Sequence, residues 1–256
     1  MLEVTGLTKE YTSGLVRRER KVAVHDVSFR VEDGETLGLI GESGCGKTSI
    51  AMMLAHLLPA TAGAIRLGGQ DVGSLRGREL RAFRQQVQII FQHPETALDP
   101  SMKIKASILE ALRVNRVVPA RSAQEAALLS ELIATVGLQA EHLERYPWEL
   151  SGGQVQRAVL ARIIALKPSV LIADEPTSML DVSVQAQILS LIRRLQGEIG
   201  FALVLISHDL DVVRCMCDKV VVMREGAVVE SGTVDEVLSH PSAAYTRQLV
   251  DEFYAL

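Results

Sequence analysis

Short apolar runs recur along the chain, and four of them stop abruptly at glycine or at polar side chains. Thr36-Leu37-Gly38-Leu39-Ile40 runs into Gly41, Ile89-Ile90-Phe91 into Gln92, Val170-Leu171-Ile172-Ala173 into Asp174, and Leu203-Val204-Leu205-Ile206 into Ser207. Runs this short, apolar at successive positions, predict strands buried on both faces, as in a parallel sheet. Between them the period changes. Ser49 to Leu58 has helical spacing, and Ala126, Leu129, Ile133 and Val136 make a stripe on a helix from Ser122 to Val136. Val184, Ile188, Leu191, Ile192 and Leu195 repeat the stripe on a helix expected to cover the sheet. Strand and helix patterns alternate on either side of a mostly helical middle. The chain therefore reads as an α/β protein whose parallel-sheet core, 1–92 and 166–239, is interrupted by a helical insertion, 93–165. Residues 240–256 read as a helical tail, Gly197 to Phe201 as a turn from helix to strand, and Asp209 as the cap of the helix after it.

The chemistry sits where the runs stop. Gly41-Glu42-Ser43-Gly44-Cys45-Gly46-Lys47-Thr48 fits Gly-x-x-x-x-Gly-Lys-Thr and lies between a strand and a helix, the context a phosphate-binding loop needs. Its glycines let backbone amides converge on phosphate oxygens, and the helix N-terminus adds partial positive charge. Lys47 reaches the β- and γ-phosphates, the Thr48 hydroxyl suits Mg²⁺, and Ser49 closes the nucleotide-binding stretch. An ordinary glycine-rich turn with an exposed lysine would not need that strand and helix around it. The run from Val170 delivers Asp174 and Glu175 to the C-terminal edge of a sheet. Asp174 suits a Mg²⁺ contact through water, and Glu175 can polarise a water that attacks the γ-phosphorus. Taken alone, that segment also reads as a strand ending in a solvated acidic turn. A second glycine-rich turn, Leu150-Ser151-Gly152-Gly153-Gln154, opens another helix and makes a second anion site. One triphosphate uses both sites only if they face each other across an interface, which points to an ATP-driven clamp of two chains.

Six motifs, spread over nearly the whole length, resemble those of the nucleotide-binding subunits of ABC transporters. They are the loop ending in Thr48, Gln92 after its strand, Leu150 to Gln154, the Asp174-Glu175 strand, the turn Ser178-Met179-Leu180-Asp181, and His208 after Ile206. The resemblance implies a P-loop NTPase (RecA-like) core with a small antiparallel β subdomain and an inserted helical subdomain, residues 1–256 forming one nucleotide-binding domain. It implies ATP hydrolysis with ATP and Mg²⁺. By the same resemblance Glu175 is the base, His208 stands beside the γ-phosphate and the attacking water, and Gln92 senses Mg²⁺ or that water. Thr48, Gln92 and Asp174 form the implied metal set. Tyr11 resembles the aromatic residue that stacks on adenine, and Asp181 belongs to the implied D-loop. Ser151, Gly152, Gly153 and Gln154 would face ATP held by the partner chain. The plainer readings are a packing tyrosine at 11 and a helix-capping histidine at 208. The implied partners are a second such ATPase, a copy or a paralogue, and integral-membrane permease subunits. A short cytoplasmic helix of the permease would enter a groove formed by the loop after Gln92. An extracytoplasmic solute-binding protein completes the implied system, with this chain peripheral at the cytoplasmic face of the inner membrane.

Phe91-Gln92-His93-Pro94-Glu95-Thr96-Ala97-Leu98-Asp99-Pro100 and the tail His240-Pro241-Ser242-Ala243-Ala244-Tyr245-Thr246-Arg247 narrow the resemblance to importers of peptides, nickel or metal chelates. The expected long loop between Tyr11 and Val22 resembles the dipeptide-type or nickel-type member of a pair of ATPases. His93, Asp99 and the order Lys47-Thr48-Ser49 depart from that pattern. The motifs also occur in ABC-type ATPases of DNA repair and translation, the alternative reading. Long heptad arms or a second nucleotide unit, which those enzymes carry, do not fit into 256 residues. A net charge of −4 argues against nucleic acid as a partner, and the basic run Arg17-Arg18-Glu19-Arg20-Lys21 is expected to be a solvated loop. No apolar run of about eighteen residues and no leader pattern is present, so neither a membrane span nor secretion is expected. Cys45, Cys215 and Cys217 lack metal-pair spacing and are expected as reduced thiols, with no iron–sulfur cluster.

Overall fold

The computed structural model describes residues 1–13 and 19–255. Along the chain the first elements are β1 (Leu2–Ser13), β2 (Glu19–Val31), β3 (Thr36–Gly41), α1 (Lys47–Leu54), β4 (Ala62–Leu67), β5 (Gln70–Asp71), α2 (Gly77–Gln86) and β6 (Val87–Ile90). There follow α3 (Ile104–Val114), α4 (Ala123–Val136), α5 (Gly152–Ile164), β7 (Val170–Asp174) and α6 (Val182–Ile199). The last are β8 (Ala202–Ile206), α7 (Leu210–Met216), β9 (Lys219–Arg224), β10 (Ala227–Thr233), α8 (Val234–Ser239) and α9 (Ala244–Tyr254).

Two compact bodies share the chain. One comprises Met1–Ile89, Val170–Glu175 and Phe201–Leu256, and the other Ile90–Ser169 and Pro176–Gly200.

The first body holds an antiparallel sheet in the order β2-β1-β4-β5 and a sheet in the order β10-β9-β3-β8-β7-β6. In the second sheet β3 runs parallel to both β8 and β9, and β7 parallel to β8. Leu39 pairs with Ile206, and Ile206 with Asp174, so three neighbouring strands stop along one edge. Every residue of β3, β7 and β8 is buried, the condition that an unbroken apolar run anticipates. Successive side chains of β3 serve opposite faces. Leu39 joins a core with Val4, Val24, Ile50 and Leu54. Ile40 joins another with Leu210, Val213, Val237, Leu238 and Tyr245.

The second body is helical, and its α4 corrects the expected stripe. Leu129, Leu132 and Val136 are buried together with Glu125, whereas Ala126 is exposed. Arg113 of α3 explains this: Nε and Nη2 donate to the Glu125 carboxylate at 2.7 and 2.8 Å, a forked pair that neutralises the acid and lets it turn inward.

Three further boundaries differ from expectation. Helix α1 covers Lys47–Leu54 rather than 49–58, because Gly46 and His56, at φ 106° and 52°, bracket it with left-handed backbone. Helix α6 runs through Gly197 to Ile199 and closes on Gly200 at φ 84°, a left-handed C-cap. Within the expected loop from Tyr11 to Val22 the described residues are paired strand: Tyr11 pairs with Lys21, Thr12 with Arg20 and Ser13 with Glu19. Arg20 and Lys21 of the basic run are therefore exposed strand, while Arg17 and Arg18 lie outside the described residues.

Candidate functional site

The glycine-rich loop leaves β3 under tight steric control. A Cβ on Gly41, at φ 144°, would stand 2.2 Å from the Met223 carbonyl oxygen, and one on Gly46, at φ 106°, 2.3 Å from that of Ala23. Only glycine fits either place. Helix α1 then starts at Gly46 with no side-chain cap and no acid in its first turn. Such an N-terminus carries partial positive charge that nothing in its own sequence neutralises.

Lys47 is only 8% exposed. Its Nζ donates to the carbonyls of Gly41 at 2.7 Å and Glu42 at 2.8 Å, and lies 3.6 Å from the sulfur of Cys45. An ammonium has three donors, and sulfur is a weak acceptor that a phosphate oxygen outcompetes. At the loop's far end the hydroxyls of Tyr11 and Ser49 are hydrogen-bonded at 3.2 Å, and the Lys9 ammonium lies 5.3 Å from the Tyr11 ring centre. Ser43 and Gly44 between these anchors are exposed.

Asp174 closes β7 and is 5% exposed. Burial pushes its carboxyl above the usual range and the charge of Glu175 adds to that, against a hydrogen bond from Thr48 and the charge of Lys47. A carboxylate in that position gains from any cation brought to it. The hydroxyl of Thr48 and the carboxylate of Asp174 are hard oxygen donors on adjacent elements, and they fit Mg²⁺.

Glu175 turns out of the strand at φ 48°, left-handed backbone that costs a non-glycine residue about 1–2 kcal/mol. Its N–H donates to the carbonyl of Ile206 at 3.0 Å, which pins the turn to β8. Its Oε1 lies 3.3 Å from Nδ1 of His208, whose side chain is 67% exposed. Helix capping after β8 falls to Asp209, which accepts from the N–H groups of Asp211 and Val212 at 3.0 and 3.2 Å. His208 is left to face Glu175 and solvent. Sequence periodicity carries no sign of the left-handed turn that aims Glu175.

In the second body, Ser151 caps α5. Its Oγ accepts from the N–H of Gln154 at 3.4 Å, and the Gln154 side chain accepts from the N–H of Ser151 at 3.0 Å. A Cβ on Gly152 would meet Leu180 at 2.9 Å, and one on Gly153 would meet Val184 at 2.5 Å. Both glycines therefore permit close packing of α5 on the turn before α6. Asp181 caps α6 by accepting from the N–H of Val184 at 3.0 Å, and the Ser183 hydroxyl holds its carboxyl below the usual range. Gln92 is exposed just past β6.

Comparison with known proteins follows this geometry. The ABC transporter family model matches residues 24–178. The chain is 40% identical to the oligopeptide transport ATP-binding protein OppF of Streptococcus mutans, over 98% of this chain and 80% of that one. It is 42% identical to the dipeptide transport ATP-binding protein DppF of Escherichia coli, over 98% of this chain and 75% of that one. Among solved structures it resembles a dimeric post-hydrolysis state of the ATP-binding cassette MJ0796 bound to ADP and Pi. There the TM-score is 0.81 at 25% identity, covering 91% of this chain and 99% of the other.

Proposed function

The chain belongs to the ABC transporter family as an ATP-binding, ATP-hydrolysing component, and from that premise we propose that it drives a peptide importer. One observation carries the reading: within a single body, the glycine loop, the Thr48–Asp174 pair and the Glu175–His208 pair gather at the shared C-terminal edge of β3, β8 and β7. Ligands of open α/β sheets bind outside that edge.

The loop amides and the α1 N-terminus take the phosphate oxygens of ATP, and Lys47 brings its ammonium to the β- and γ-phosphates. Thr48 and Asp174 would hold Mg²⁺, which would supply positive charge against the phosphates, and Gln92 is the residue the family resemblance adds to that set. Glu175 takes a proton from the attacking water, and His208 steadies the carboxylate and the γ-phosphoryl oxygens. Tyr11 offers its ring to the adenine. The turn from Ser151 to Gln154 meets the γ-phosphate of ATP held by a second subunit, copy or paralogue, and Asp181 lines that junction. ATP joins the pair, and hydrolysis removes the group both subunits grip and reopens it.

Peptides are the proposed cargo because OppF and DppF are named for them; nickel or a metal chelate is the cargo class the switch and tail segments also resemble. Among the described residues no helix is long and apolar enough to cross a membrane. On the importer reading, the chain acts from the cytoplasmic face of the inner membrane on permease subunits, supplied with cargo by an extracytoplasmic binding protein.

The test is reconstitution of the chain with its co-purifying membrane partners in proteoliposomes. Peptide presented with the binding protein should raise ATP turnover, and Glu175→Gln should abolish the increase. Stimulation by nickel chelates alone would reassign the cargo. Co-purification with ribosomes or DNA, without a permease, would overturn transport.

A further inference from the structure

The tail helix reaches the nucleotide loop. We propose that Tyr245 of α9 is a positioning residue for ATP binding, holding the first turn of the loop so that Lys47 is presented correctly. The proposal rests on the reading of Gly41–Thr48 as the ATP site.

Strand β3 pairs with β9 as far as Gly41 and Met223, and there the ladder ends. The next N–H, that of Glu42, donates to the hydroxyl of Tyr245 at 3.3 Å across 203 positions of sequence. With the ladder ended, this amide has no strand partner, and the phenol supplies an acceptor. The carbonyl of the same Glu42 accepts from Lys47 Nζ at 2.8 Å. Tyr245, Glu42 and Lys47 are thus linked in series, one residue carrying both contacts.

The phenol is itself held. Tyr245 is 8% exposed, and Arg224, the last residue of β9, lies 4.8 Å from its ring centre. Burial raises the pKa of the phenol, and the nearby Glu42 carboxylate adds to this, so the hydroxyl keeps its proton. The start of α9 is buckled to the sheet by Glu230 of β10. Its carboxylate accepts from the N–H and hydroxyl of Ser242, both at 2.7 Å, and from the N–H of Ala243 at 3.1 Å. Tyr245 acts here without a phosphate contact of its own. It sets where the loop begins, and with it the ammonium that must reach the phosphates.

The test is Tyr245→Phe in the full chain, which removes the hydroxyl and keeps the ring that Arg224 covers. ATP affinity and the KM for ATP should weaken about three- to tenfold, the value of one hydrogen bond. Turnover at saturating ATP should stay within about twofold, and the nucleotide-free melting temperature should move by no more than about 4 °C, the shift of one lost hydrogen bond in a chain of this size. Unchanged affinity would overturn the proposal, and so would a fall in turnover and melting temperature alongside affinity, which marks a purely structural role. Lys47→Ala in the same titration separates the two levels. If it binds ATP normally, the loop reading itself fails; if it loses ATP while Tyr245→Phe does not, only the role of Tyr245 fails.

Discussion

Two helices of this protein begin at glycine-rich turns, and they finish their N-termini in opposite ways. Helix α1 has a glycine cap, no side-chain acceptor and no acid in its first turn. Helix α5 satisfies itself through the reciprocal bonds between Ser151 and Gln154. An open N-terminus beside a buried lysine is incomplete without an anion, whereas a capped one stands alone and accepts an anion as an addition. Under the proposed function this becomes a division of labour, α1 holding nucleotide in a lone subunit and α5 meeting nucleotide that another subunit already holds.

The hardest test of this contrast is Glu175→Gln. Loss of the base should slow ATP turnover by about 10²- to 10⁴-fold with affinity little changed. If both helix starts share one ATP, this variant should also elute as a dimer with ATP and as a monomer with ADP, which size-exclusion chromatography reads directly. Normal turnover would remove Glu175 as the base.

Lys47→Ala strikes only the α1 side. Direct ATP binding to the isolated subunit should weaken about 10- to 100-fold, the range for a lost charged hydrogen bond. An unchanged titration would end the contrast. Ser151→Arg strikes only the α5 side: monomer binding of ATP should persist while the ATP-dependent dimer with Glu175→Gln fails to form. Equal loss of monomer binding would show that α5 serves its own subunit's nucleotide.

Ser151→Ala should lower stability by about 0.5–2 kcal/mol through the lost cap, a change that denaturant melts resolve and for which α1 has no counterpart.

Ahead of α9 the chain is anchored by the Glu230 carboxylate. Although burial opposes its ionisation, donors that include the N–H and hydroxyl of Ser242 and the N–H of Ala243 bring its pKa down to about 2 from 4.5. A depressed acid stabilises the fold above its unfolded pKa, and the contribution fades as pH falls from 4.5 toward 2. Glu230→Gln should flatten the acid limb of the stability curve in that window. An unchanged acid limb would show that Glu230 does not buckle α9.

Strands β3, β7 and β8 were legible because burial on both faces demands apolar residues at every position, a local property of the chain. The loop between Gly41 and Thr48 was legible for the same kind of reason, since glycine spacing and a following lysine are constraints of short range. Helix α4 marks the limit. Leu129 and Val136 are buried as expected, but Glu125 and Leu132 take the places expected of Ala126 and Ile133, and an acid is buried only where a partner such as Arg113 waits on another helix. The left-handed turn at Glu175 depends likewise on a carbonyl of β8, and the start of the loop on a phenol in α9. The residue order by itself determined which segments are strands and helices and where a phosphate loop and a pair of acids would fall, because period and backbone preference act over a few neighbours. Folding in three dimensions alone decided which carbonyl, guanidinium or hydroxyl completes each of them. Partners separated by many tens of positions meet only when the chain packs, and no local pattern records the meeting.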